Sequence, residues 1–240
     1  MKWRTLAGGF VLAVTFATAV PHGTVSGSGA VAPAADSATA FSPDKGKFRI
    51  LQNGAEVGTE EFELAPSGNA WVAHGEAVIH VAGSDSRSSG QLRLAADGTP
   101  LHYDWTAQAG KKSSGTVDFE GGTAKTSITI SGKDPVREDF KFDSPHVAIL
   151  DNNLYDQWAI LARLYDWNVG GAQNFPVVIP QDMTPGSIAV ESLGPKTVDG
   201  KQFDTLHAST ADLEVNLYFD AKHHLMRLEV PAAQAVIIRE

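Results

Sequence analysis

The sequence predicts a mainly β protein: a highly curved antiparallel sheet of about a dozen strands, a half-barrel or open barrel, packed on one amphipathic helix. Three observations carry this. Apolar and polar residues alternate along most of the chain, as in Leu213, Val215, Leu217 and Phe219 against Asp212, Glu214, Asn216 and Tyr218. That period of two belongs to sheets with one dry and one wet face, which are typically antiparallel. Turn signals such as Asn53-Gly54, Asp97-Gly98, Glu120-Gly121-Gly122 and Asp199-Gly200 separate the runs at short intervals, and Asn-Gly and Asp-Gly suit tight hairpins. One segment, 151–167, breaks the alternation. Its Leu154, Trp158, Leu161 and Tyr165 fall on one helical stripe.

Taken in order, Lys2 and Arg4 form a positive n-region, 6–16 is a short apolar run, and Ala17-Thr18-Ala19 fits a cleavage site. Residues 1–19 are therefore expected to be a secretory signal peptide, with an uncleaved N-terminal anchor as the alternative. Residues 20–43 are rich in Ala, Gly, Ser, Thr and Pro with almost no large apolar side chain. They are expected to form a disordered leader, because they cannot bury enough surface to offset the entropy of ordering. Residues 44–240 are long enough for a single β-rich domain with a real core.

Strand-like runs surround 48–51, 62–64, 92–94, 117–119, 128–130, 140–142, 175–179 and 236–238. In one of the longer runs Trp71, Ala73, Ala77 and Ile79 alternate with His74, Glu76 and His80, and in another Tyr103 and Trp105 alternate with His102 and Asp104. A sheet of this size curls, and its apolar concave face needs a cover. The helix, expected at about 151–166, is that cover. Asp151, Asn152 or Asn153 can cap its start and Gly170-Gly171 its end. The prolines at 176, 180 and 185 place the 175–179 strand at an edge or rim. Residues 92–103 faintly echo 215–227, each a strand, an Asp-led turn and a strand; duplication or ordinary hairpin chemistry explains that equally well.

Composition limits function. Without Lys2 and Arg4 the chain has 17 basic against 28 acidic residues, a net charge of −11 with His neutral. An acidic chain without basic clusters argues against nucleic acid and anionic membrane surfaces. There is no Cys, hence no disulfide and no lipidation cysteine after the signal. That suits an exported bacterial protein, periplasmic or secreted. No segment beyond the N-terminus approaches about 18 uninterrupted apolar residues, so no stable membrane insertion is expected after signal cleavage.

The opening 48–58, a strand, a turn and a second strand with Gly58, and the closing 212–220 with 225–230 resemble the ends of an uncharacterised family of exported bacterial proteins. Those domains are related in shape to lipoprotein-carrier (LolA-like) half-barrels, in which a curved sheet wraps helices and can hold acyl chains. The resemblance implies a lipid-carrier fold and, by analogy of fold alone, a lipid-like ligand. This chain departs from the carriers in its single clear helix and long leader.

Catalytic and metal motifs are missing: there is no Gly-x-Ser-x-Gly elbow, no His-Glu-x-x-His and no phosphate loop. His74, Glu76 and His80 share the wet face of their strand, with the two His too far apart for one ion. His223-His224 sits in a turn, and the neighbours Glu60-Glu61 and Glu138-Asp139 face opposite ways on strands. The expectation is a non-catalytic protein without cofactor or metal that binds or carries an apolar, lipid-like small molecule in the cell envelope. The candidate pocket residues are Tyr103, Trp105, Trp158, Leu161, Tyr165 and Trp167. The alternatives are an envelope interaction module docking a protein partner and an enzyme of unknown type, the latter requiring convergence of groups such as His102, His207, Asp151 and Asp166.

Overall fold

The structure, a computed structural model, describes residues 41–81 and 83–240. The expected signal peptide and residues 20–40 of the leader lie outside the described residues. The described chain forms one sheet of fifteen strands, more than the dozen expected. Its first eight are β1 (Asp44–Gln52), β2 (Ala55–Ser67), β3 (Ala70–Val81), β4 (Ser84–Ala95), β5 (Pro100–Ala109), β6 (Lys111–Glu120), β7 (Thr123–Ile130) and β8 (Val136–Lys141). After the short β9 (Ala148–Ile149) comes the helix α1 (Asp156–Leu164). There follow β10 (Ala172–Ile179), β11 (Thr184–Val198), β12 (Lys201–Ser209), β13 (Glu214–Phe219), β14 (Leu225–Val230) and β15 (Ala235–Arg239).

The sheet is a meander with its two chain ends in the middle. β1 pairs with β15; from that seam β2 to β8 run outward on one side and β14 back to β9 on the other. Every pairing is antiparallel except β9 with β10, which is parallel and only two residues long. The sheet does not close. Its far strands approach by packing alone, where β6 lies against the turn Pro180–Asp182.

The strands beyond the expected dozen are β9, β11 and β12. Gly194, at φ 72°, sits where the β11–β12 register shifts between Ser192 and Gly194. Such a bulge lets the strand bend and continue past Pro195. The β4–β5 and β13–β14 hairpins that echo each other in sequence each carry a register shift. In both, the leading Asp accepts backbone N–H bonds inside the turn, Asp97 from Thr99 and Asp220 from Lys222 and His224.

The helix is shorter than expected, with nine residues from Asp156 to Leu164. It starts late because Asp151 and Asn152 spend their polar groups elsewhere, and it ends six residues before Gly170. Tyr165 turns extended (φ −71°, ψ 124°) and buries its ring. Its hydroxyl donates to the Gly171 carbonyl at 2.8 Å and accepts the Ser192 N–H at 3.2 Å.

Two apolar clusters meet at the helix. One gathers β1, β2 and β11–β15 around Trp158, Leu161 and Tyr165; the other gathers β3–β8 around Ile160. β10 divides them, with Val177 and Ile179 in the first, Val178 in the second, and all three fully buried. A continuous apolar run is what a strand covered on both faces requires. Phe41, expected in the leader, packs its ring 5.8 Å from Trp71 and is buried, so the ordered core reaches back before Asp44.

The far end of α1 is tied to both chain ends. Asp44 accepts from Arg163 at 3.1 Å and from Arg239 at 2.6 Å, with its own side chain 4% exposed. Burial alone would raise this carboxyl, but Arg239 and then Arg163 outweigh it and hold it below its ordinary 3.8. Asp44→Ala leaves two guanidinium groups facing each other, and urea denaturation is expected to register a loss of about 3–5 kcal/mol. A depressed carboxyl contributes stability that is present above its unfolded value of 3.8 and lost as pH falls. The variant should therefore lose less further stability on acidification than the parent.

Candidate functional site

One polar cluster lies inside the apolar interior. Glu60 occupies β2 at the inward parity of Phe62 and Leu64 and is fully buried. Its carboxyl oxygens accept the N–H groups of Tyr155 at 2.8 Å and Asp156 at 3.1 Å. These are the first free amides of α1, whose N-cap residue Tyr155 supplies no side-chain cap. A strand residue thus caps the helix in place of the expected Asp151–Asn153.

The Asp156 carboxyl sits beside Glu60. Gly75 on β3 makes room for both, since a Cβ there would lie 2.7 Å from Asp156 Oδ1 and 3.1 Å from Glu60 Oε1. Burial first, and then the charge of Asp156, push Glu60 well above the usual carboxylate range. Burial also raises Asp156, while its bond to Glu60 opposes the rise. Two adjacent buried carboxyls cannot both ionise cheaply, so they share a proton, held on Glu60.

A second branch adjoins it. Asp151 accepts the Tyr103 hydroxyl at 2.9 Å through Oδ2, and the N–H groups of Gln181 at 3.0 Å and Asn152 at 3.1 Å through Oδ1. Gln157 closes a ring, donating to the Tyr103 oxygen at 3.1 Å and accepting the Asp151 N–H. Burial raises Asp151 to about 7 against the pull of those donors. Burial also keeps Tyr103 a neutral donor. Glu60, Tyr103, Asp151, Asp156 and Gln157 are each at most 6% exposed, so this cluster can hold or relay protons but presents no open face to a solute.

Open space lies elsewhere: a hollow of about 450 Å³ lies over β1–β3 among the charged side chains of Lys45, Lys47, Glu61, Glu63 and Glu76, and a second space lies at the rim. A cleft of about 390 Å³ forms at the C-terminal end of α1, between β10, the β4–β5 turn and residues 144–146. Leu164, Phe175 and Pro176 supply its apolar wall, with Asp97, His146 and Asn174 around it. Arg163 also borders it but is engaged with Asp44 and with Ser42, whose hydroxyl accepts at 2.9 Å. The Thr99 N–H holds the Asp97 carboxyl below its ordinary value, so it stays charged. Between α1 and β2–β3 a separate space of about 10 Å³, beside Asp156 and Ala159, is no larger than one water needs.

The predicted pocket residues do not form one wall. Tyr103 and Trp105 pack in the β3–β8 cluster; Trp158, Leu161 and Tyr165 pack in the other, and Trp167 is partly buried against it. Trp167 stacks on His223 at 4.6 Å. His74, Glu76 and His80 are exposed on the outer face as expected. His102 bonds Asp118 at 2.7 Å and His207 lies 3.6 Å from Glu191; Asp166 is exposed. Of the four groups on which an enzyme reading leaned, Asp151 alone enters the buried cluster. Sequence reasoning missed Glu60 and Gln157. The signal for Glu60 was present: a carboxylate in phase with Phe62 and Leu64.

Asp151 has a measurable signature. A carboxyl raised from 3.8 to about 7 contributes stability that is complete below the unfolded value and lost as pH rises through the folded one. The loss amounts to about 4 kcal/mol. Urea midpoints are expected to fall between about pH 5 and about pH 8, and Asp151→Asn to flatten that fall. An equal fall in the variant would refute the assignment.

No family model matches the chain, and no curated protein matches it. Among solved structures the chain is similar to a β-barrel-like protein of the domain of unknown function DUF1849 from Brucella abortus. The likeness covers 82% of this chain and 94% of that one, at a TM-score of 0.55 and 12% identity. It extends to the fold: a β-barrel-like domain of an uncharacterised kind.

Proposed function

We propose that this chain is a non-catalytic binding domain of the bacterial cell envelope, and that its ligand is an apolar, lipid-like small molecule seated in the rim cleft. The observation that carries the reading is the cleft itself, with its apolar wall of Leu164, Phe175 and Pro176 and a few polar groups at its edge. Its volume of about 390 Å³ falls in the range of small-molecule sites, which combine such walls with a few directing polar groups. Arg163 shares the single Asp44 carboxylate with Arg239, so the cleft is bordered by one positive and one negative group, Arg163 and Asp97. The analogy to lipoprotein carriers agrees with an apolar ligand, and the expected signal peptide agrees with export. The site differs from the one first expected, lying beside the helix end rather than beneath its aromatic stripe. The interaction-module alternative gains little. Leu101, Ile130, Val136, Val169 and Leu193 are the large apolar side chains exposed among the described residues, and they are spread over β5, β7, β8, a loop and β11.

Titration with the apolar dye N-phenyl-1-naphthylamine tests the reading. The parent is expected to enhance its fluorescence saturably. Asn174→Trp, which fills the cleft from an exposed position on β10, should weaken binding by about tenfold or more, roughly 1.4 kcal/mol, with the melting temperature unchanged. Binding that survives Asn174→Trp, or no binding by the parent, would sink it.

A further inference from the structure

We propose that Glu60 and Asp156 form a proton-operated latch: one proton between the two carboxyls locks the start of α1 onto β2, and its loss to solvent frees residues 151–157 from the sheet. This goes beyond the cleft and does not depend on it.

The geometry carries the argument. Glu60 links helix and sheet directly, taking both the Tyr155 and the Asp156 N–H. When both carboxyls ionise, two negative charges lie side by side in a fully buried site, and the only relief is separation or water. The space beside Asp156 is about 10 Å³, too small for more than one water, and apart from the Glu60 carboxyl no donor reaches Asp156 Oδ1. Relief therefore requires movement of the helix start. That movement would also carry Leu154 away from β4, where a Cβ on Gly90 would come within 2.9 Å of its Cδ1 and 2.6 Å of the Tyr103 hydroxyl.

Other charges near the pair do not quench it. Tyr155 and Tyr103 are phenols that burial keeps neutral. Asp151 adds negative charge as it titrates at about 7. Glu63, Asp44 and Arg163 border the small space, but Arg163 is paired with Asp44 and Ser42. His74, exposed on the outer face of β3 beside Gly75, acts on Asp156 through the thin sheet and lowers it. Its exposure to water weakens that influence.

Hydrogen exchange of the intact protein tests the latch, comparing α1 amides with β2–β3 amides after correction for intrinsic rates. From about pH 6 to about pH 9, helix protection relative to the sheet is expected to fall by about tenfold or more. Glu60→Gln cannot ionise and keeps one acceptor oxygen for the two helix amides, so in an Asp151→Asn background, which removes the other group titrating in this range, helix protection should be lower than in the parent but its ratio should stay flat with pH. Asp156→Asn gives the same reading by the other partner if Glu60→Gln does not fold. Gly75→Ala, which crowds both carboxyls, should lower helix protection at every pH. A pH-independent ratio in the parent, or a fall that persists in the neutral variants, overturns the proposal. No ligand enters the measurement, so its failure leaves the cleft reading standing, and failure of dye binding leaves the latch standing.

Discussion

The contact on which the interior depends is the one between Glu60 and the first amides of α1. A helix laid on a curved sheet has to satisfy its leading N–H groups inside the core, where no water reaches them. A single inward carboxyl on β2 does so, with bonds of 2.8 and 3.1 Å. Each bond to this protonated carboxyl is worth about 0.5–1.5 kcal/mol, and the helix dipole favours the negative charge that the shared proton leaves on Asp156. Burying an isolated carboxylate costs several kcal/mol, and Asp156 adds a second beside it. Sharing one proton reconciles these opposing terms. The arrangement is directional: it fixes the rotation and height of the helix relative to β2, which the apolar contacts of Trp158 and Leu161 alone would leave looser.

That fixed position decides how the sheet closes. With α1 seated, Ile160 faces one apolar cluster and Trp158 and Leu161 the other. β10 runs between them, covered on both sides. The two open edges, β8 and β9, are joined in the chain by residues 142–147. Part of that connection, Ser144 and His146, borders the rim cleft, whose apolar wall comes from the same elements, the helix end and β10, that divide the core.

Much of this architecture was legible in the sequence. Alternation marked most of the strands, and the stripe of Leu154, Trp158, Leu161 and Tyr165 marked the helix, because both periods are set by backbone geometry and survive any tertiary context. Boundaries were less legible. Asp151, Asn152 and Asn153 have the right chemistry for a cap, but tertiary partners on β5 and the Pro180–Asp182 turn claim Asp151 and Asn152, so a local rule gave way to a distant one. β11 was hidden because Gly194 and Pro195 interrupt its alternation, and a bulge absorbs the interruption. Glu60 was the clearest lost signal: adjacency to Glu61 correctly set the two on opposite faces, yet the face shared with Phe62 and Leu64 meant that one of them had to be buried. The rim cleft had only its prolines to announce it, as a cleft is made by the spacing of elements distant in sequence.

The two ends of α1 are held by anchors of opposite acid–base character. At the start, Glu60 is raised and retains a proton; at the far end, Asp44 is lowered and stays charged against Arg163 and Arg239. Over the range in which Asp151 and the carboxyl pair titrate, the Asp44 anchor does not change. Motion set off by proton loss therefore pivots about Arg163, with the start of the helix moving most. Nine residues span only about 13 Å, so such a pivot also tilts Leu164 and the wall of the rim cleft. The rigid length of α1, together with a fixed charge at one end and a titrating pair at the other, would couple the interior polar cluster to the rim cleft without any change in the strands.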